Sequence, residues 1–392
     1  MDIVKILNSL IFFFIFLFCG SVYPIIFGAN VFYFMLLLLS ITSLLFQKKY
    51  NSSYLKSFRK STLILMIFLL INWFLTGFNI NLIEFPVMFA IIFIFNVAYL
   101  ALHNKEKVSI KSFDSVFKVI VFYSLANFVL TSLFKGLFVQ FYNDSFACKH
   151  LFFLFFYSAE NVISGIDFIR NQGFYWEPGV LSVVLNIFLF RLLFSNMINY
   201  KKPYIFLTSF LIITTFSTTG LTLVFLQFLY YLKQKKNKIT SFLILFIFLI
   251  LLFPLLLFNV NEKIEGSGEG SFVARNYDAL AALDVTKDNF LTGVGFSKIK
   301  NEDAQEKSKV FMASKFVEAR GNTNSVITIF LYLGVPMGLL YLFVFYNQTL
   351  VDFKKGFFFF ILLICLASEP LVFNGFFIFF VISYFYKPIL SE

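Results

Sequence analysis

Apolar positions in this chain neither alternate nor recur every third or fourth residue. They come in long unbroken runs parted by short polar breaks. The runs lie near 7–27, 30–46, 61–78, 82–102, 116–134, 179–197, 203–217, 220–232, 240–258, 324–345, 356–368 and 371–386. A helix of roughly 17–25 apolar residues crosses about 30 Å of hydrocarbon. The pattern therefore predicts an all-α polytopic integral membrane protein of about twelve transmembrane helices. Ten to thirteen result if the short, closely spaced runs near 203–258 and 356–386 are divided differently. Residues 1–392 read as one integral membrane domain with two long polar stretches, 135–178 and 259–323.

Composition agrees with the pattern. The chain is 59% hydrophobic and only 14% charged, against about 25% charged in ordinary soluble domains, which excludes a soluble class. The net charge of +11 raises the question of a nucleic-acid partner, and its distribution answers it. Lys and Arg gather between apolar runs: Lys48 to Lys60, Lys105 to Lys111, Lys201 and Lys202, Lys233 to Lys238, Lys354 and Lys355, and Lys387. Cations clustered in the short connections on one side mark those loops as cytoplasmic. With both termini inside, every such loop falls inside, and the short outer connections near 78–81, 218–219 and 369–370 carry no Lys or Arg. The first run lacks a clear cleavage site and is read as a retained span. Cys19, Cys148 and Cys365 lie far apart, and neither they nor His103 and His150 have ligand spacing, so no disulfide framework or metal site is expected.

The two polar stretches then face outward. The first holds "LFFLFFYS", Leu151 to Ser158, too short to span and expected to lie at the interface. The second, with nine Lys/Arg against ten Asp/Glu, is soluble in character. Within it Val273, Tyr277, Leu280 and Asp284 fall on successive turns of an expected helix, and "NFLTGVGF" closes it with a glycine-rich turn.

Outward placement gathers the candidate chemistry. "RNQGFYWEPG" sets Arg170, Tyr175, Trp176 and Glu177 just before a span, with Pro178 suited to its first turn. Arg170 reads as a headgroup anchor or a phosphate ligand. Glu177 reads as a helix cap, a general base, or a binder of an acceptor hydroxyl. "STTG" brings Thr218 and Thr219 to the same face, the second outer stretch brings Arg275 and Arg320, "RGNTNS" brings Asn324, and "SEP" brings Glu369. Arginines suit phosphate or pyrophosphate. Tyr175 and Trp176 suit a sugar face or the membrane interface.

From Arg170 to the C-terminus the chain resembles the O-antigen polymerase and ligase superfamily. "RNQGFYWEPG" resembles that family's arginine, glycine and Glu/Asn-Pro motif, and "STTG" its Ser/Thr–Arg/Thr–Gly motif. "ARNYDALAALDVTKDNFLTGVGF" resembles its loop arginine followed by Gly-x-Gly. "TNSVITIFLYLGVPMGLLYL" resembles its His-Asn motif with a glycine ten residues later. Two positions depart: Thr323 stands where many members carry histidine, and Thr219 where many carry arginine; the first disfavours a ligase. The resemblance implies a GT-C-like fold in the bacterial cytoplasmic membrane. It also implies a metal-independent glycosyltransferase that joins undecaprenyl-diphosphate-linked oligosaccharides into O-antigen, capsule or exopolysaccharide. No cofactor is expected, and a chain-length regulator and a flippase are the implied partners. Catalysis is expected from Glu177, Arg170 and Arg275, and substrate binding from Tyr175, Trp176, Thr218, Thr219, Arg320, Asn324 and Glu369. The alternatives are a ligase of the same superfamily and a flippase or transporter. A transporter calls for ionisable residues along its spans and helices interrupted at mid-membrane. Here Glu84, Lys118 and Arg191 lie near span ends, and no interrupted pair is evident.

Overall fold

A computed structural model of the 392-residue chain describes residues 3–47, 52–76, 84–104, 106–143, 146–158, 160–163, 166–195, 201–234, 269–296, 303–307 and 324–386, with short pieces of 254–261. Its helices are α1 (Ile3–Leu17), α2 (Val22–Phe27), α3 (Ala29–Phe46), α4 (Ser52–Leu75), α5 (Glu84–His103), α6 (Glu106–Leu133), α7 (Pro178–Phe194), α8 (Lys201–Thr214), α9 (Thr218–Lys233), α10 (Glu269–Asp288), α11 (Ser325–Tyr346), α12 (Lys355–Ser368) and α13 (Gly375–Ser383). Five of them, α3 to α6 and α11, are long and apolar enough to cross a membrane, while α1, α7 and α12 are apolar but shorter. Large side chains such as Val31, Phe34, Leu45, Leu63 and Phe74 point outward from α3 and α4, a surface suited to lipid rather than water. The chain is a mostly helical, multi-pass membrane protein. Every expected apolar run except 240–258 coincides with a described helix, and 240–258 lies largely outside the described residues.

The chain divides into two compact units, one of Met1–Phe18, Asn30–Phe113 and Glu269–Ser391, the other of Cys19–Ala29 and Asp114–Gly268. In the first, α5 packs against α4 and α13, and α13 also meets α1. Gly375 makes the α5–α13 contact possible, because a Cβ there would stand 2.0 Å from the Phe95 ring. Buried amides and hydroxyls tie the helices together: Asn8 donates to Ser109 (3.1 Å), Ser43 to Asn8 (2.9 Å) and Gln47 to Ser43 (3.0 Å). In an apolar medium such groups must find partners within the protein.

In this unit α11 is broken. Gly334 has φ 70° and ψ 169°, and Pro336 follows it. The sequence pattern reads as an unbroken span because Gly and Pro are tolerated in membrane helices. The freed backbone groups pair with the turn after α10: Val294 N–H donates to Leu331 O (2.9 Å), Gly295 N–H to Tyr332 O (3.1 Å) and Val335 N–H to Phe290 O (2.7 Å). Neither glycine admits a side chain, since a Cβ on Gly293 would stand 2.5 Å from Gly334 N and one on Gly334 2.6 Å from Leu291 O. The interruption is therefore filled by protein backbone. Helix α10 lies on α11 through Ala282 and Val285 against Leu331. The expected helix is present, but its face differs: Tyr277 and Leu280 are exposed while Ala281, Ala282 and Val285 are buried. Small alanines allow the close approach to α11 that larger residues would block.

In the second unit α7 is buried over its whole length and packs on α8 and α9. A helix apolar on every side belongs inside a bundle. Gly220 sets the α7–α9 spacing, as a Cβ there would meet Ser182 Cβ at 2.8 Å. Arg191 lies deep in this unit at 2% exposure, its Nε donating to Asp114 Oδ1 (2.6 Å). It is the buried half of an ion pair, where the sequence placed it near a span end.

The first polar stretch departs from the all-α expectation. It forms a three-stranded antiparallel sheet, β1 (Val139–Asn143), β2 (Phe146–Leu151) and β3 (Phe155–Tyr157), and a two-stranded one, β4 (Glu160–Ile163) with β5 (Ile166–Ile169). "LFFLFFYS" is the β2–β3 turn and β3, with Phe152 and Phe153 in left-handed conformations and Phe152 exposed. Phe138, Tyr157 and Ile169 form the small core beneath. Aromatic residues such as Phe141, Tyr142, Phe155 and Tyr157 favour such strands.

Candidate functional site

The segment before α7 is clamped from several sides within the second unit. Asn171 N–H donates to Thr214 O (3.0 Å) and its amide donates to Thr214 Oγ1 (3.1 Å). Gln172 donates to Tyr175 O (2.9 Å) and accepts from Ser158 N–H (2.6 Å). Gly173 turns the chain at φ 58°, with Ser124 Oγ 3.2 Å from where a Cβ would sit. Trp176 N–H donates to Gly20 O (3.0 Å), and the indole lies over Gly20, 2.9 Å from the place of a Cβ.

On this frame Arg170, half-buried, reaches the turn between α8 and α9. Its Nε donates to Thr215 O (2.9 Å) and its Nη2 to Phe216 O (3.3 Å). Phe216 is left-handed at φ 48°, and Ser217 then caps α9 by accepting from Gly220 N–H (3.2 Å). Thr218 and Thr219, half-buried, open that helix. The arginine motif and the "STTG" motif are thus one constellation, joined through backbone carbonyls that no residue-type pattern announces.

Glu177 occupies the N-cap position of α7, extended at φ −140° and ψ 150°, exposed, and without a side-chain capping bond. The position is that of a cap, yet the carboxylate does not serve as one. It sits where the helix dipole favours negative charge. Tyr175 is placed otherwise than the sequence led us to expect of a sugar platform. It is fully buried, its ring 4.6 Å from Phe174, and burial pushes its phenol pKa well above the ordinary value, with Cys19 adding to the shift. Trp176, half-buried, is the member of the aromatic pair with accessible surface.

The other candidates belong to the first unit. Asn324 is the N-cap of α11, its Oδ1 accepting from Val326 N–H (3.0 Å) and Ile327 N–H (3.2 Å). That assigns its carbonyl oxygen to the helix rather than to a ligand. Glu369 is 5% exposed, and its backbone carbonyl accepts from Ser325 Oγ (2.5 Å), which in turn accepts from Leu371 N–H (2.7 Å). Ser325, unnoticed in the sequence, therefore ties "RGNTNS" to "SEP". Arg275 lies half-buried on α10, and Arg320 lies outside the described residues. Gly293, Gly295 and Gly334 are the glycines of the last two motifs, and they meet at the break in α11.

Comparison with family models, curated proteins and solved structures finds no match to this chain.

Proposed function

We propose that the protein is a glycosyltransferase of the O-antigen polymerase type, joining undecaprenyl-diphosphate-linked oligosaccharides on the outer face of the cytoplasmic membrane. The observation that carries the proposal is the constellation of Arg170 locked against the Thr215–Phe216 turn, with Thr218 and Thr219 opening α9 and an exposed Glu177 that forms no cap. A hydroxyl of the acceptor repeat unit attacks the anomeric carbon of the donor glycan. The new glycosidic C–O bond forms, the bond from that carbon to the diphosphate breaks, and undecaprenyl diphosphate leaves with the electron pair. Glu177 takes the hydroxyl proton. Arg170 meets the charge that grows on the departing diphosphate, and the threonine hydroxyls hold phosphate or sugar oxygens. Trp176 offers an aromatic face to a sugar ring.

The test is a pair of substitutions read together with stability. Glu177→Gln keeps size but cannot take a proton, and loss of a general base costs about 10²–10⁴-fold in rate. Arg170→Lys keeps charge but loses the planar fork. Both should abolish long polymer and let single lipid-linked repeat units accumulate. Glu177→Gln should leave folded protein abundant in the membrane, so its loss of polymer cannot be a folding effect. Wild-type polymer length in Glu177→Gln cells at normal protein abundance would overturn the assignment of the base.

A further inference from the structure

Where the C-terminal end of α4 meets the turn after α10, within the first unit, a cavity of about 520 Å³ opens beside Gly293. This is in the range of roughly 300–1,000 Å³ typical of small-molecule sites. Thr76, Asn289, Thr292, Asp303 and Lys307 supply its polar lining. Three of these have already given a donor to the backbone: Thr76 Oγ1 donates to Asn72 O (2.9 Å), Asn289 Nδ2 to Val285 O (3.0 Å) and Thr292 Oγ1 to Gly293 O (3.1 Å). What remains toward the cavity is rich in acceptors: two hydroxyl oxygens, the Asn289 carbonyl oxygen and the Asp303 carboxylate, with the second Asn289 amide hydrogen and the Lys307 ammonium as donors. A phosphate or other anion would face Asp303 and a set of lone pairs. A cation would face Lys307. A neutral ligand dense in hydroxyl groups, each able to donate and accept, satisfies the whole set.

We propose that this cavity is a saccharide-binding subsite for a neutral glycan. Identifying that glycan with the repeat unit being polymerised rests on the function proposed above; the ligand class does not. The floor of the subsite is fixed by the interlock of Gly293 with the broken α11.

The full chain in lipid nanodiscs should be titrated, with saturation-transfer NMR as the readout, against the methyl glycosides of glucose, galactose, rhamnose and N-acetylglucosamine, and against glucose 6-phosphate. At least one neutral glycoside should bind. Asp303→Ala and the isosteric Thr292→Val should each weaken it about tenfold or more, as expected for lost hydrogen bonds in a polar site. Lys287→Ala, an exposed position in the last turn of α10 outside the cavity lining, should not. Absence of binding by every glycoside, indifference to both substitutions, or tighter binding of glucose 6-phosphate than of methyl glucoside would each overturn the proposal. The measurement needs no polymer. A chain that binds sugar here but fails to polymerise would refute the polymerase and leave this subsite standing, and the reverse result would do the opposite.

Discussion

Helix starts in this protein show what a capping side chain does when capping is its task. Ser21 accepts from Tyr23 N–H (3.2 Å), Ser217 from Gly220 N–H (3.2 Å), and Asn324 from both Val326 and Ile327 N–H. Glu177, at the same position on α7, makes no such bond. The contrast yields a measurable difference. Asn324→Ala should lower stability by about 1 kcal/mol, the usual worth of a cap, and shift the unfolding midpoint of the purified protein downward. Glu177→Ala, which removes no capping bond, should shift it less. An equal shift for both would make Glu177 a structural residue. At this scale the sequence was half informative. Asn before an apolar run is a recognised cap signal; Asn324 was read as a substrate ligand, and the cap is what it provides. The burial of Tyr175 beside an accessible Trp176 could not be read, because adjacent aromatics look alike until the chain's path past Gly20 and Phe174 is known.

Among the elements, α11 depends most on contacts distant in sequence. Its midpoint is opened by Gly334, and the carbonyls there are satisfied from distant parts of the chain, Leu331 O by Val294 N–H and Tyr332 O by Gly295 N–H and Asn72 Nδ2 (3.1 Å). An unpaired carbonyl at membrane depth costs several kcal/mol, so turn and break stabilise each other. Gly293→Ala and Gly334→Ala each place a methyl within 2.6 Å of backbone atoms and require a left-handed residue. Each should destabilise by at least about 2 kcal/mol and sharply reduce the yield of folded protein in the membrane. Gly356→Ala, with open space around it, should be silent. If all three expressed and unfolded alike, the interlock would carry no stability. Helix existence was legible here from long apolar runs. The break was not, because the hydropathy of "TIFLYLGVPMGLLYL" does not reveal that residues 290–295 pair with it. The strands of the first polar stretch were missed for a related reason: "LFFLFFYS" carries an apolar signal without the turn geometry at Phe152 and Phe153 that directs it into a sheet.

For the whole molecule, the proposed chemistry depends on which side of the membrane the polar stretches face. Alternation of basic loops predicts that Ser52 lies inside and Asp288 outside. Both are exposed in the structure, so cysteines introduced there should be reachable from their own side. The native background is favourable. Cys19, Cys148 and Cys365 are all buried, and burial pushes the Cys148 thiol on β2 up to about 11. Its reactive thiolate is therefore scarce at neutral pH and becomes abundant only as pH approaches that value. Wild-type protein should stay dark to a membrane-impermeant maleimide at pH 7. Asp288→Cys should label in intact cells, and Ser52→Cys only after the membrane is opened. The reverse pattern would turn the exposed Glu177 and the Asp303 cavity toward the cytoplasm, where a carrier-linked glycan that has been moved outward is absent. Polymerisation of exported repeat units would then be untenable. The labelling pattern is the first result needed, because the roles proposed for Arg170 and Glu177 presuppose it.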